Sequence, residues 1–108
     1  MAEVGFLEDL EFIASRSADD DDRIERMKDL LIDAESLSPT QRSQIASILT
    51  DIVVDASDDV VVRQHAANEI GYYMEAPTTE LKQRFENPDE DIDIRYNLQA
   101  SFRDHFSC

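Results

Sequence analysis

Two stretches of this chain carry the same pattern 32 positions apart, and that offset narrows the possible folds more than any other feature. Sliding Asp59 onto Asp91 lays Val60 on Ile92, Val62 on Ile94, Arg63 on Arg95, Ala66 on Leu98 and Ile70 on Phe102. The apolar members recur every three or four residues, which is the spacing of one helical face. A connector and one short helix separate the copies. A period of this size marks a two-helix unit whose apolar side stays open unless another unit packs on it. Residues 20–35 and 39–55 read as an earlier, more degenerate copy.

The remaining segments also read as helices. Residues 3–16 place Val4, Phe6, Leu7, Leu10, Ile13 and Ala14 on a broad apolar arc, with Phe12 towards the polar side. The run Asp19-Asp20-Asp21-Asp22 sits where carboxylates favour the positive end of the next helix, which buries Ile24, Met27, Leu30, Leu31 and Ala34. Ser38-Pro39-Thr40-Gln41 is a helix start, with Ser38 as cap, Pro39 in the first turn and Gln41 as capping-box partner. Ile45, Ile48, Leu49, Ile52 and Val53 follow on one face. A fourth helix runs through Val62, Ala66, Ile70 and Tyr73 to Pro77, a fifth buries Leu81 and Phe85, and a sixth buries Ile94, Leu98 and Phe102.

With 108 residues the chain is expected to form a single helical-repeat domain spanning 1–108. Two glycines and three prolines supply too few turn formers for a many-stranded sandwich or barrel. The expected fold is all-α. Asp and Glu outnumber Lys and Arg by 25 to 10, a net charge of −15. Such a charge repels nucleic-acid phosphates and anionic lipid and attracts cationic surfaces. The expected partner is therefore a basic protein, with no nucleic acid, membrane or small-molecule substrate. Cys108 is the only cysteine, so no internal disulfide is possible. The start of the chain lacks the basic and apolar segments of a signal peptide, and a cytoplasmic location is expected.

The segment Asp58-Asp59-Val60-Val61-Val62-Arg63-Gln64-His65-Ala66-Ala67-Asn68-Glu69-Ile70-Gly71, with residues 77–85 and 87–95 after it, resembles the HEAT-repeat family. The resemblance covers roughly the last half of the chain. It implies a short α-solenoid of about three helix pairs, with Asp59, Arg63, Asp91 and Arg95 linking neighbouring repeats. Asp22-Arg23 is a poor echo of the motif, and helix two has no counterpart of Gly71.

Neither His65 nor His105 has a second ligand at a metal-binding spacing, and Gly5 and Gly71 cannot build a phosphate cradle. His65 reads as a partly buried helix residue. No metal, cofactor or catalytic constellation is expected, and the chain is expected not to be an enzyme. What remains is surface. Helices one, three and five are expected to share a face carrying Glu8, Phe12, Gln44, Ser47, Asp51, Asp55, Gln83 and Glu86, acidic with an exposed aromatic. Tyr72 is a further candidate, and Tyr73 is assigned to the core. Small acidic chains of this type resemble immunity proteins of bacterial toxin systems, including contact-dependent growth inhibition. That resemblance implies a protein-binding inhibitor that occludes the basic cleft of a cognate toxin, such as a nuclease. The alternatives are a phage-type nucleic-acid mimic (anti-CRISPR or anti-restriction) and a HEAT-like adaptor.

Overall fold

Helix starts in this chain are set by side-chain oxygens that satisfy first-turn amides, which otherwise have no partner. The computed structural model describes the backbone from Ala2 to Phe106 and the side chains from Gly5 to Phe106. After α1 (Ala2–Ala14), Asp19 accepts from the Asp22 amide and opens α2 (Asp20–Ile32). Ser38 and Gln41 make a reciprocal capping box at α3 (Pro39–Val54). Asp59 opens α4 (Val60–Glu69), Thr78 opens α5 (Thr79–Glu86) and Asp91 opens α6 (Ile92–Ser101). Short 3-10 turns follow α2 at Ala34–Ser36 and α4 at Ile70–Tyr72. Among the described residues there is no strand, so the fold is all-helical.

The helices lie in two rows. α1, α3 and α5 are neighbours in one, α2, α4 and α6 in the other, and each odd helix packs on the even helix that follows it. Ile13, Met27, Leu49, Val53, Val62, Ala66, Ile70, Leu81, Ile94, Leu98 and Phe102 fill the space between the rows. Tyr73 is buried among them, as its spacing requires. Leu7 and Ala14, expected on the buried arc of α1, are exposed. α1 ends its row with neighbours on one side only, so Phe6, Leu10 and Ile13 suffice to line the contact. The Val4 side chain and Cys108 lie outside the described residues. No helix among the described residues is long and apolar enough to cross a membrane.

Three arginines tie the rows together by one repeated device. Each stands four residues past an N-capping aspartate: Arg23 after Asp19, Arg63 after Asp59, Arg95 after Asp91. Side chains in a first turn lean back towards the helix start. From there each Nε donates to a carbonyl ten residues earlier, near the end of the preceding odd helix: Ile13 at 2.8 Å, Val53 at 3.1 Å and Phe85 at 2.8 Å. α1 and α3 have no basic residue in their last turn, so the cation that favours those helix ends comes from the next helix.

The terminal nitrogens then reach forward along the even row. Arg23 grips both oxygens of Asp58 at 2.8 and 2.9 Å, and Arg63 meets Glu90 at 2.6 Å. These acids differ from the expected links. Asp59 and Asp91 are one position too late, because their carboxylates are turned into their own first turns as caps. Asp91 adds a secondary tie by accepting from Gln64 at 3.1 Å. Arg23, the poor echo, performs the device in full. At Gly71, in the turn that follows α4, the backbone passes close to the end of α6: a Cβ there would lie 2.7 Å from the Ser101 carbonyl oxygen.

Candidate interaction surfaces

The structural use of arginine decides what faces outward. Besides the three ladder arginines, Arg16 binds Ser57 and lies 3.4 Å from Asp55, while Arg26 binds Asp9 at 2.7 Å. Arg42 donates to the Ala34 and Tyr72 carbonyls, and Arg84 to the Val54 carbonyl at 2.7 Å. Five of the ten basic residues thus hold helix-end carbonyls, whereas many carboxylates remain in solvent. On the odd row Glu8, Glu11, Asp51, Glu80 and Glu86 are exposed, with Lys82 the exposed base beside them. The even row is not free of acid: α2 exposes Asp21, Asp22, Glu25 and Asp29, and α6 exposes Asp93. What separates the rows is apolar exposure. The even row shows Ile32, Val60, Val61, Ile92 and Tyr96, while the odd row shows Leu7.

Of the residues singled out in the sequence, Glu8, Gln44, Ser47, Asp51, Gln83 and Glu86 are all exposed on adjacent helices of the odd row. Three others do not belong to that surface as free groups. Phe12 is half-buried, with the Arg26 guanidinium 4.3 Å above its ring, so it is not an exposed aromatic. Helical periodicity places it on the polar side but does not reveal that Arg26, from α2, covers it. Asp55 caps the turn between α3 and α4: it accepts from the Ser57 hydroxyl at 2.6 Å and amide at 3.0 Å. Those bonds hold its carboxyl below the usual range, with Arg16 assisting. Tyr72 is exposed, but it stands at the end of α4 beside Asn68, Ala100 and Arg103, away from the other candidates.

Sequence reasoning missed a polar cluster where α2 meets α4. Glu69 is only 4% exposed, yet it ends α4, where helix carbonyls already present negative charge. Burial raises its carboxyl to about 7, a shift larger than the opposing effect of Lys28 of α2. Burial also lowers His65, one turn earlier, and Lys28 adds to the effect. Burial and the neighbouring Glu69 push the Tyr73 phenol up to about 12, and its hydroxyl has no hydrogen-bond partner among the described residues. The only signal in the sequence was the spacing of His65 and Glu69 on one face of α4. His65 also lines a shallow polar recess with Gln64, Asn68 and Asn97. Among the described residues no three His, Cys, Asp or Glu side chains are placed to hold a metal ion. Comparison with family models, curated proteins and solved structures yields no match.

Proposed function

We propose that this chain is a protein-binding inhibitor of the immunity type, which neutralises a cationic partner by covering its basic cleft. A cytoplasmic toxin domain with a cleft for an anionic substrate, such as a nuclease, is the partner class that fits. In this reading the two rows form a short HEAT-like solenoid, and the odd row is the docking face. One observation carries the reading: arginines are turned inward to finish helices, while Glu8, Asp51 and Glu86 stand exposed on adjacent helices. A surface of this sign accelerates encounter with a positive one and discriminates against negative ones.

The test is affinity capture at low salt, followed by titration of the purified partner. We expect a basic partner whose activity is suppressed by the chain, with an affinity that falls as ionic strength rises. Reversal of Asp51 and Glu86 to lysine should weaken binding by about tenfold or more, a modest share of what close charge pairs contribute. Asp55 is unsuitable for this purpose because its reversal would break the turn after α3. Binding unchanged by the double reversal rejects the odd row as the interface. A captured partner that is a DNA-binding protein, released by competing DNA, would favour the nucleic-acid mimic instead.

A further inference from the structure

We propose that a notch on the odd row, between α3 and the connector into α5, binds one long cationic side chain, lysine or arginine, presented by the partner. The assignment to the partner rests on the odd row being the docking face. The notch arises from unequal helix lengths. α3 spans 16 residues and α5 only eight. Arg84 fastens the last turn of α5 beside the end of α3 by donating to the Val54 carbonyl at 2.7 Å. The shorter helix therefore leaves part of α3 uncovered on that side, where the connector 73–78 passes instead. Between them lies an open recess of about 340 Å³.

The lining specifies what fits. Buried Ala46 and Tyr73 and half-buried Met74 make an apolar floor, and Ser47, Thr50 and Asp51 supply oxygens. The α3 residues among them are three or four apart and so share one side of the helix. Thr50 already donates its hydroxyl proton to the Ala46 carbonyl at 2.8 Å, so it can only accept from a newcomer. The Asp51 carboxylate, also an acceptor, has no ion pair or hydrogen bond among the described residues. No basic side chain lines the notch. Arg42, 5.8 Å from the Tyr73 ring, is held by the Ala34 and Tyr72 carbonyls. An apolar floor with unshared acceptors above it matches an apolar stem that ends in positively charged donors, and lysine and arginine are built this way. An anionic group would be repelled by Asp51, and an apolar side chain of the same length gains nothing from Thr50 or Asp51.

The test titrates the full chain with N-acetyl-lysine methylamide, N-acetyl-arginine methylamide and N-acetyl-norleucine methylamide, read by NMR at the Ala46, Thr50 and Thr78 amides and the Met74 methyl group. We expect saturable shifts confined to the notch with a cationic probe, and the tighter of the two identifies the residue the partner presents. Asp51→Asn should weaken that probe by about threefold or more. Asp29→Asn, an equal loss of charge on α2, should weaken it by less than about 1.5-fold. Ser47→Trp, which fills the notch, should abolish binding. Norleucine binding as well as the cations, shifts spread over the acidic surface, or equal losses from Asp51→Asn and Asp29→Asn overturn the proposal. So does a partner complex weakened by Glu86→Lys but indifferent to Ser47→Trp, which leaves the docking face standing. Probe binding in the notch, with a partner complex indifferent to Asp51→Lys and Glu86→Lys together, rejects the docking face instead.

Discussion

A buried carboxyl at a helix end is the most exposed weakness of this fold at the residue scale. Glu69 is held near 7, above its ordinary value of 4.5, so the folded chain binds a proton that the unfolded chain releases. Stability from this group is complete below about pH 4.5 and falls as pH rises towards 7. His65 acts oppositely in part of the same window: its lowered value makes the folded state resist charging as pH falls below 6.5. Lys28 faces both groups, and Tyr73 stays neutral throughout. Glu69→Gln should therefore stabilise the chain at pH 8, by roughly 1–3 kcal/mol. It should leave a residual slope of the histidine's sign, read from urea midpoints between pH 5 and 8. Asp58 acts in acid, because the Arg23 hydrogen bonds lower its carboxyl and the stability it contributes is lost as pH falls below about 4.

The ladder arginines are the second residue-scale test. Arg63→Ala removes the partner of Glu90, whose side chain is only 4% exposed, and frees the Val53 carbonyl. Breaking a buried pair from one side costs about 3 kcal/mol or more. Arg84, 3.8 Å from Glu90, offsets part of that loss. Arg63→Lys keeps the charge but cannot serve the carbonyl and the carboxylate with a planar fork, so its denaturation midpoint should fall between wild type and alanine.

Among the elements, the helix caps separate structural from free carboxylates. Asp91 accepts from two first-turn amides of α6 and from Gln64 of α4. Asp91→Ala should lower stability by about 1–2 kcal/mol in chemical denaturation. Asp21→Ala, in an exposed position of α2, should change it by less than about 0.5 kcal/mol. These starts were legible: Ser38 and Gln41 form the expected box, and the Asp59 and Asp91 helices follow the 32-residue offset. What the pattern could not show was which acid is spent on a cap and which on a link. Asp58 and Asp59 are alike in sequence, and only the neighbouring helix tells them apart. Phe12 failed for the same reason, since its cover comes from Arg26 on another helix. The offset between the first two rungs, from Arg23 to Arg63, is 40 rather than 32, so the earliest copy was blurred.

Across the whole molecule the long axis reaches 44 Å, and the ladder runs from one helix pair to the next along the even row. Each rung waits for chain that comes later: Arg23 for Asp58, 35 residues on, and Arg63 for Glu90, 27 residues on. A fragment of residues 1–56 contains Arg23 without its acid and should show little helix by circular dichroism. Residues 1–76 contain that pair but leave Arg63 without Glu90, and their melt should fall below that of the full chain. The earlier helices therefore draw part of their fastening from chain that lies downstream, so shortening the protein from its C-terminal side should loosen the helix pair before the cut as well as remove what lies beyond it.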